Sequence, residues 1–158
     1  MQLNELYQTI ILEHYKDPHN FGAIPDADIE VRGYNESCGD DVRLSVKLTS
    51  DKRIEDVRFQ GKGCAISQSS SSMMTDSLKG KTIEEAIEFV DSFKSMMKGE
   101  KKFPSEGDFE EISVLQGVLE FPVRVKCATL GWNTLRKGLE QWIQKSKEDS
   151  QTITREEE

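Results

Sequence analysis

Four side chains in this sequence have the types and spacing to do chemistry together: Cys38, Asp40, Cys64 and Cys127. Cys38-Gly39-Asp40 sets a thiol and a carboxylate two residues apart within NESCGDD, a stretch rich in residues that bond their own backbone and so form turns. Cys64 follows the glycines of GKGC. Cys127 follows FPVRVK. Three thiolates and a carboxylate would make the four ligands of a tetrahedral zinc site, and ferrous iron accepts the same donors. The spacing alone is weak evidence, because there is no Cys-x-x-Cys pair and no histidine at finger spacing. Three unrelated core cysteines is the competing account. Asp40, taken by itself, reads as a turn-capping residue.

The context of Cys64 narrows the choice. QGKGCAISQSSSSMM could be a linker, a phosphate-cradling loop or a thiol at a helix start. A linker would not carry Ile66, Met73, Met74 and Leu78 at helical intervals. GKG lacks the spacing of a phosphate loop. What remains is a strand, a glycine turn and a cysteine at or near the first turn of a helix, where unpaired N–H groups and partial positive charge favour a thiolate. Small serine side chains would let that helix pack closely on the sheet. A buried structural cysteine is the alternative. A cysteine–histidine nucleophile is disfavoured, since His14 falls on the apolar face of the first helix and His19 follows a proline in a loop. Arg124 and Lys126, read on one face of an extended FPVRVK, are possible electrostatic neighbours of Cys127, with solvent exposure as the default.

The elements that must position these groups follow from periodicity. Leu3, Leu6, Tyr7, Ile10, Ile11 and His14 predict an amphipathic helix ended by Asp17-Pro18. Ile29 and Val31 predict a strand running toward Tyr34. Val42, Leu44, Val46 and Leu48 alternate with polar residues, and IEDVRFQG follows a tight turn, which predicts an antiparallel hairpin. Ala65 to Leu78 reads as a helix stopped at Lys79-Gly80. Thr82 and Glu85 form a capping-box pattern before the stripe Ile83, Ala86, Ile87, Val90, Phe93 and Met97. A loop, a short helix around Phe109 to Leu115, extended FPVRVK and a final helix marked by Leu130, Leu135, Leu139, Trp142 and Ile143 complete the chain.

Bulk properties exclude several classes. The 158 residues predict one domain, over 1–145, with a polar, disordered tail over 146–158. The net charge of −8 argues against nucleic acid or an anionic membrane as partner. No stretch resembles a signal peptide or a membrane span, so the expected location is the cytoplasm, with cysteines present as thiols or metal ligands.

At SCGD, GKGCAISQSSSS and FPVRVKC, taken in this order, the sequence resembles the IscU/SufU family, which is related to the N-terminal domain of NifU and acts in iron–sulfur cluster assembly. EHYKDPHNFG also resembles the family's N-terminal segment. The resemblance implies an α+β fold: a small three-stranded antiparallel sheet with helices packed beside it and a metal/thiol site at one end. It implies Cys38, Asp40, Cys64 and Cys127 as metal ligands. Three departures resemble the SufU branch. Lys126 stands where shorter scaffold members carry histidine, LEFPVR replaces their Leu-Pro-Pro-Val-Lys segment, and residues 91 to 111 are longer. That branch implies one zinc per chain and a persulfide acceptor, rather than a conventional enzyme, that takes sulfur from a SufS-type cysteine desulfurase. Downstream iron–sulfur assembly proteins or apo-acceptors would then receive it. Cys38 is the expected acceptor, because its turn can swing off the metal. The alternative is a scaffold building a [2Fe–2S] cluster on Cys38, Cys64 and Cys127.

Overall fold

The structure is a computed structural model that describes residues 3–104 and 106–157. Three antiparallel strands form a meander in the order β1 (Ile29–Asn35), β2 (Asp40–Leu48) and β3 (Ile54–Lys62). Register pairs Val31 with Leu44 and Leu44 with Phe59, so alternate apolar residues share one buried face. Among the described residues, five α-helices pack beside the sheet: α1 (Leu3–Lys16), α2 (Ala65–Asp76), α3 (Ile83–Met97), α4 (Phe109–Ile112) and α5 (Pro122–Glu157). The expected α+β fold class holds.

Local chemistry sets the boundaries. The Thr82 hydroxyl accepts from the Glu85 N–H at 3.1 Å and the Glu85 carboxylate accepts from the Thr82 N–H at 3.0 Å, which is the anticipated capping box at the start of α3. In α1, Ile11 and His14 are buried. Ile10 is half-buried, and Leu3, Leu6 and Tyr7 lie outside the residues whose side chains are described.

FPVRVK is helical rather than extended. Pro122 is the first residue of α5, where its fixed φ suits the helix and its missing N–H costs nothing. The Arg124 and Val125 N–H groups both donate to the Phe121 carbonyl, at 2.9 and 3.1 Å, closing the first turn. Val123 and Val125 imitate strand alternation, but four residues are too few for that period to outweigh a helix-starting proline. Cys127 therefore lies in the second turn of α5, inside the helix rather than at the end of an extended segment. Arg124 and Lys126 project about 200° apart around the axis and share no face.

The serines of α2 meet other helices rather than chiefly the sheet. Ser69 donates to the Ile11 carbonyl of α1 at 2.6 Å, and Ser70 donates to the Ala128 carbonyl of α5 at 2.5 Å. A Cβ on Gly131 would stand 2.3 Å from the Ser71 hydroxyl, so α2 and α5 approach closely because both are small at the crossing. Trp132 and Phe93 stack at 3.9 Å between ring centres and join α3 to this core. Across the sheet, Gly138 of α5 sits against Ile29 and Val31. The helix so anchored brings its N-terminal turns to the end of the sheet where β1 meets β2. Along α5 no residue from Gln144 to Asp149 is buried. The backbone of the polar segment expected to be a tail continues α5 to Glu157, and the side chains beyond Asp149 lie outside the described residues.

Candidate metal centre

One end of the sheet gathers the predicted thiols. The β1–β2 turn carries Cys38, and Gly39 after it adopts φ +69°, a left-handed conformation that glycine accepts at little cost. Asp40, the first residue of β2, is fully buried. Cys64 is the N-cap of α2, and its sulfur accepts from the Ser67 N–H at 3.4 Å, so the expected thiol at a helix start is present. Cys127 is buried: its Sγ stands 3.0 Å from Cys38 Sγ, and Asn35 at the end of β1 approaches it at 3.9 Å.

Ligand atoms of Cys38, Asp40 and Cys127 all lie within 4.8 Å of one another. Cys64 falls outside that tight group, yet it joins the site in two ways. Its N–H donates to Asp40 Oδ1 at 2.9 Å, and its thiol is close enough to raise the pKa of Cys127. Cys38 is half-buried in a turn whose Glu36, Ser37 and Gly39 are exposed; Cys64 is the exposed thiol of the three. Arg124 and Lys126 are exposed, and the Arg124 guanidinium sits over the Phe121 ring at 5.6 Å.

The side chains at this end of the sheet leave polar groups uncompensated. Burial first, then the neighbouring Cys38, Asp40 and Cys64, push the Cys127 thiol far above its ordinary range. Asp40 Oδ2 is buried and has no hydrogen-bond partner. An orphaned carboxylate oxygen beside the Cys38 and Cys127 thiols is costly without a cation and well suited to one. The donor set, sulfur with one carboxylate oxygen, therefore fits zinc or ferrous iron.

Two contributors carry little signal in the sequence. Gly63 leaves room for the carboxylate, since a Cβ there would stand 2.3 Å from Asp40 Oδ1. Asn35 is foreshadowed only as part of the NESCGDD turn.

The match to known proteins agrees with this geometry. Residues 6–149 match the NifU-like N-terminal domain family. The chain is 47% identical over 137 residues to the zinc-dependent sulfurtransferase SufU of Bacillus subtilis (strain 168), covering 87% of this chain and 91% of that protein. It is 43% identical over 138 residues to the iron–sulfur cluster assembly scaffold protein IscU of Streptococcus pyogenes serotype M1, covering 87% and 85%. A crystal structure of a putative iron–sulfur cluster assembly scaffold protein for the SUF system from Fervidobacterium islandicum superposes with a TM-score of 0.76 at 37% identity, covering 85% of this chain and 97% of that one. The chain belongs to the NifU-like N-terminal domain family, the family of IscU- and SufU-type proteins. Among the described residues, no helix is long and apolar enough to cross a membrane.

Proposed function

We propose that this protein is a zinc-binding sulfur acceptor in iron–sulfur cluster assembly, taking persulfide sulfur from a cysteine desulfurase and passing it to downstream assembly proteins. The observation that carries the reading is the unpartnered, buried Asp40 Oδ2 amid Cys38, Cys64 and Cys127. The likeness to a zinc-dependent sulfurtransferase supports the same choice. Cys38, Asp40, Cys64 and Cys127 are the proposed ligands of one zinc per chain, within a domain spanning 1–145. Zinc, when bound, would keep the thiols deprotonated near neutral pH.

Cys38 is the proposed acceptor. Cys127 is fixed in a helix and Cys64 is engaged as a cap, while Cys38 sits on a turn held by neither. Its thiolate attacks the outer sulfur of the desulfurase persulfide. A new S–S bond forms on Cys38, the donor's S–S bond breaks, and the donor cysteine leaves as a thiolate. The sulfane sulfur moves with no net oxidation. Incubation with a SufS-type desulfurase and cysteine, followed by intact-mass measurement, tests this. Wild type gains the mass of one sulfur and Cys38→Ser does not; equal gain by both removes Cys38 from the role.

The scaffold alternative draws support from the IscU relative and from thiolates suited to a [2Fe–2S] cluster. Anaerobic reconstitution separates the two. A stoichiometric chromophore that transfers to an apo-protein supports the scaffold, and colourless protein holding zinc supports sulfur transfer.

A further inference from the structure

We propose a second metal site, remote from the thiols, in which His14, His19 and Asp76 bind a divalent transition ion of the zinc class. One ligand atom from each lies within 4.8 Å of the other two. His14 is in the last turn of α1, His19 in the loop that follows, and Asp76 is the last residue of α2. Asp76 is twelve residues beyond Cys64, so the two sites are about 18 Å apart along α2.

The donors already converge on one place. His19 Nδ1 and Asp76 Oδ2 are 2.7 Å apart, and the two imidazole rings are 4.4 Å apart between centres. Ligands about 2.1 Å from a tetrahedral ion stand about 3.4 Å from one another, so side-chain rotation alone closes the set. Outer partners hold the ligands in place. Ser72 Oγ lies 2.7 Å from His14 Nδ1 and accepts from the His19 N–H at 2.8 Å. Asn20 reaches Asp76 Oδ1 at 3.4 Å, leaving Oδ2 to the ion. Such second contacts orient metal ligands and fix imidazole tautomers.

Two further observations point to a cation. His14 is only 3% exposed, and its Nε2 meets the Glu111 carboxylate, so negative charge converges on a buried imidazole. A cavity of about 600 Å³ opens alongside, walled in part by Asp76, Asp108, Glu110 and Glu111. Lys81 neutralises Asp108 at 2.7 Å, which leaves the remaining three carboxylates to concentrate cations. Two imidazoles with a carboxylate suit zinc, and the fourth position falls to water or Glu111.

The chain has only two histidines, and both are in the site, which gives a direct readout. Zinc is added to the full-length protein beyond the amount the thiol site takes up, and the imidazole nitrogens are followed by ¹H–¹⁵N NMR. Both rings are expected to show the nitrogen shift of metal ligation. His19→Ala and Asp76→Asn, both at exposed positions, are expected to weaken this binding at least about tenfold, while Cys38→Ser leaves it intact. Unmoved ring signals in excess zinc overturn the site. So does zinc binding by both variants equal to wild type, measured by calorimetry alongside a thermal melt showing that each variant is folded.

Discussion

The N–H of Cys64 donates to Asp40 Oδ1 at 2.9 Å and leaves Asp40 Oδ2 buried with nothing to bind. One carboxylate thus links the N-terminus of α2 to the first residue of β2 and keeps a free oxygen for an ion. Asp40→Asn separates these roles. The amide oxygen can still accept from Cys64, but the charge and the second oxygen are lost. Metal affinity should fall by more than the about 10–100-fold that outer-shell partners contribute. Without metal the variant should melt no lower than wild type, because a buried carboxylate oxygen that lacks a partner has been removed. Chelator competition and thermal melts, each with and without zinc, check both outcomes.

Gly63→Ala should damage the same place by a different route. The added methyl would stand 2.3 Å from Asp40 Oδ1 and must displace the carboxylate. Overpacking of this kind costs about 1–3 kcal/mol. Urea unfolding should show that loss, and the variant should also hold zinc more weakly than wild type. Normal zinc retention would mean that Asp40 can move without harm.

How far such a site can be read in advance depends on the distance over which its parts interact. The β2–β3 hairpin, the Thr82–Glu85 box and Cys64 as a helix start were all legible, because each is set by residues a few positions apart. The convergence of Cys38 and Cys127, 89 positions apart, has no local signature; the family motifs supplied it. FPVRVK misled because valines at alternate positions suit a strand, while Pro122 suits a helix start equally well. The His14–His19–Asp76 cluster was illegible: on α1 alone His14 reads as an apolar-face residue, and only the packing of α1 on α2 brings Asp76 to it.

Ser70 offers a test of how α2, which carries Cys64, is held. Its hydroxyl donates to the Ala128 carbonyl at 2.5 Å and accepts from the buried Trp132 Nε1–H at 2.9 Å. Ser70→Ala strands that indole donor away from water. The expected loss is about 1–3 kcal/mol in chemical unfolding, with changed tryptophan fluorescence in the folded state. Cysteine gives a contrast, since its thiol is only a weak donor and acceptor and should restore no more than part of the loss.

Acid sensitivity should trace in part to the join between α3 and α5. Arg136 holds both oxygens of Asp91, at 2.7 and 3.1 Å, and this contact keeps the Asp91 carboxyl below its usual range. A carboxylate whose pKa is lower folded than unfolded contributes stability above the unfolded value, near 3.9. That contribution disappears as pH falls through the lower, folded value. Both side chains are partly open to solvent, so screening limits the contribution to under about 1 kcal/mol. Asp91→Asn should therefore lower stability slightly at pH 7 and converge with wild type as pH falls below the depressed Asp91 value. Urea melts across that range, repeated at high salt, would show the gap close in acid; a constant gap at every pH would assign the effect to packing rather than charge.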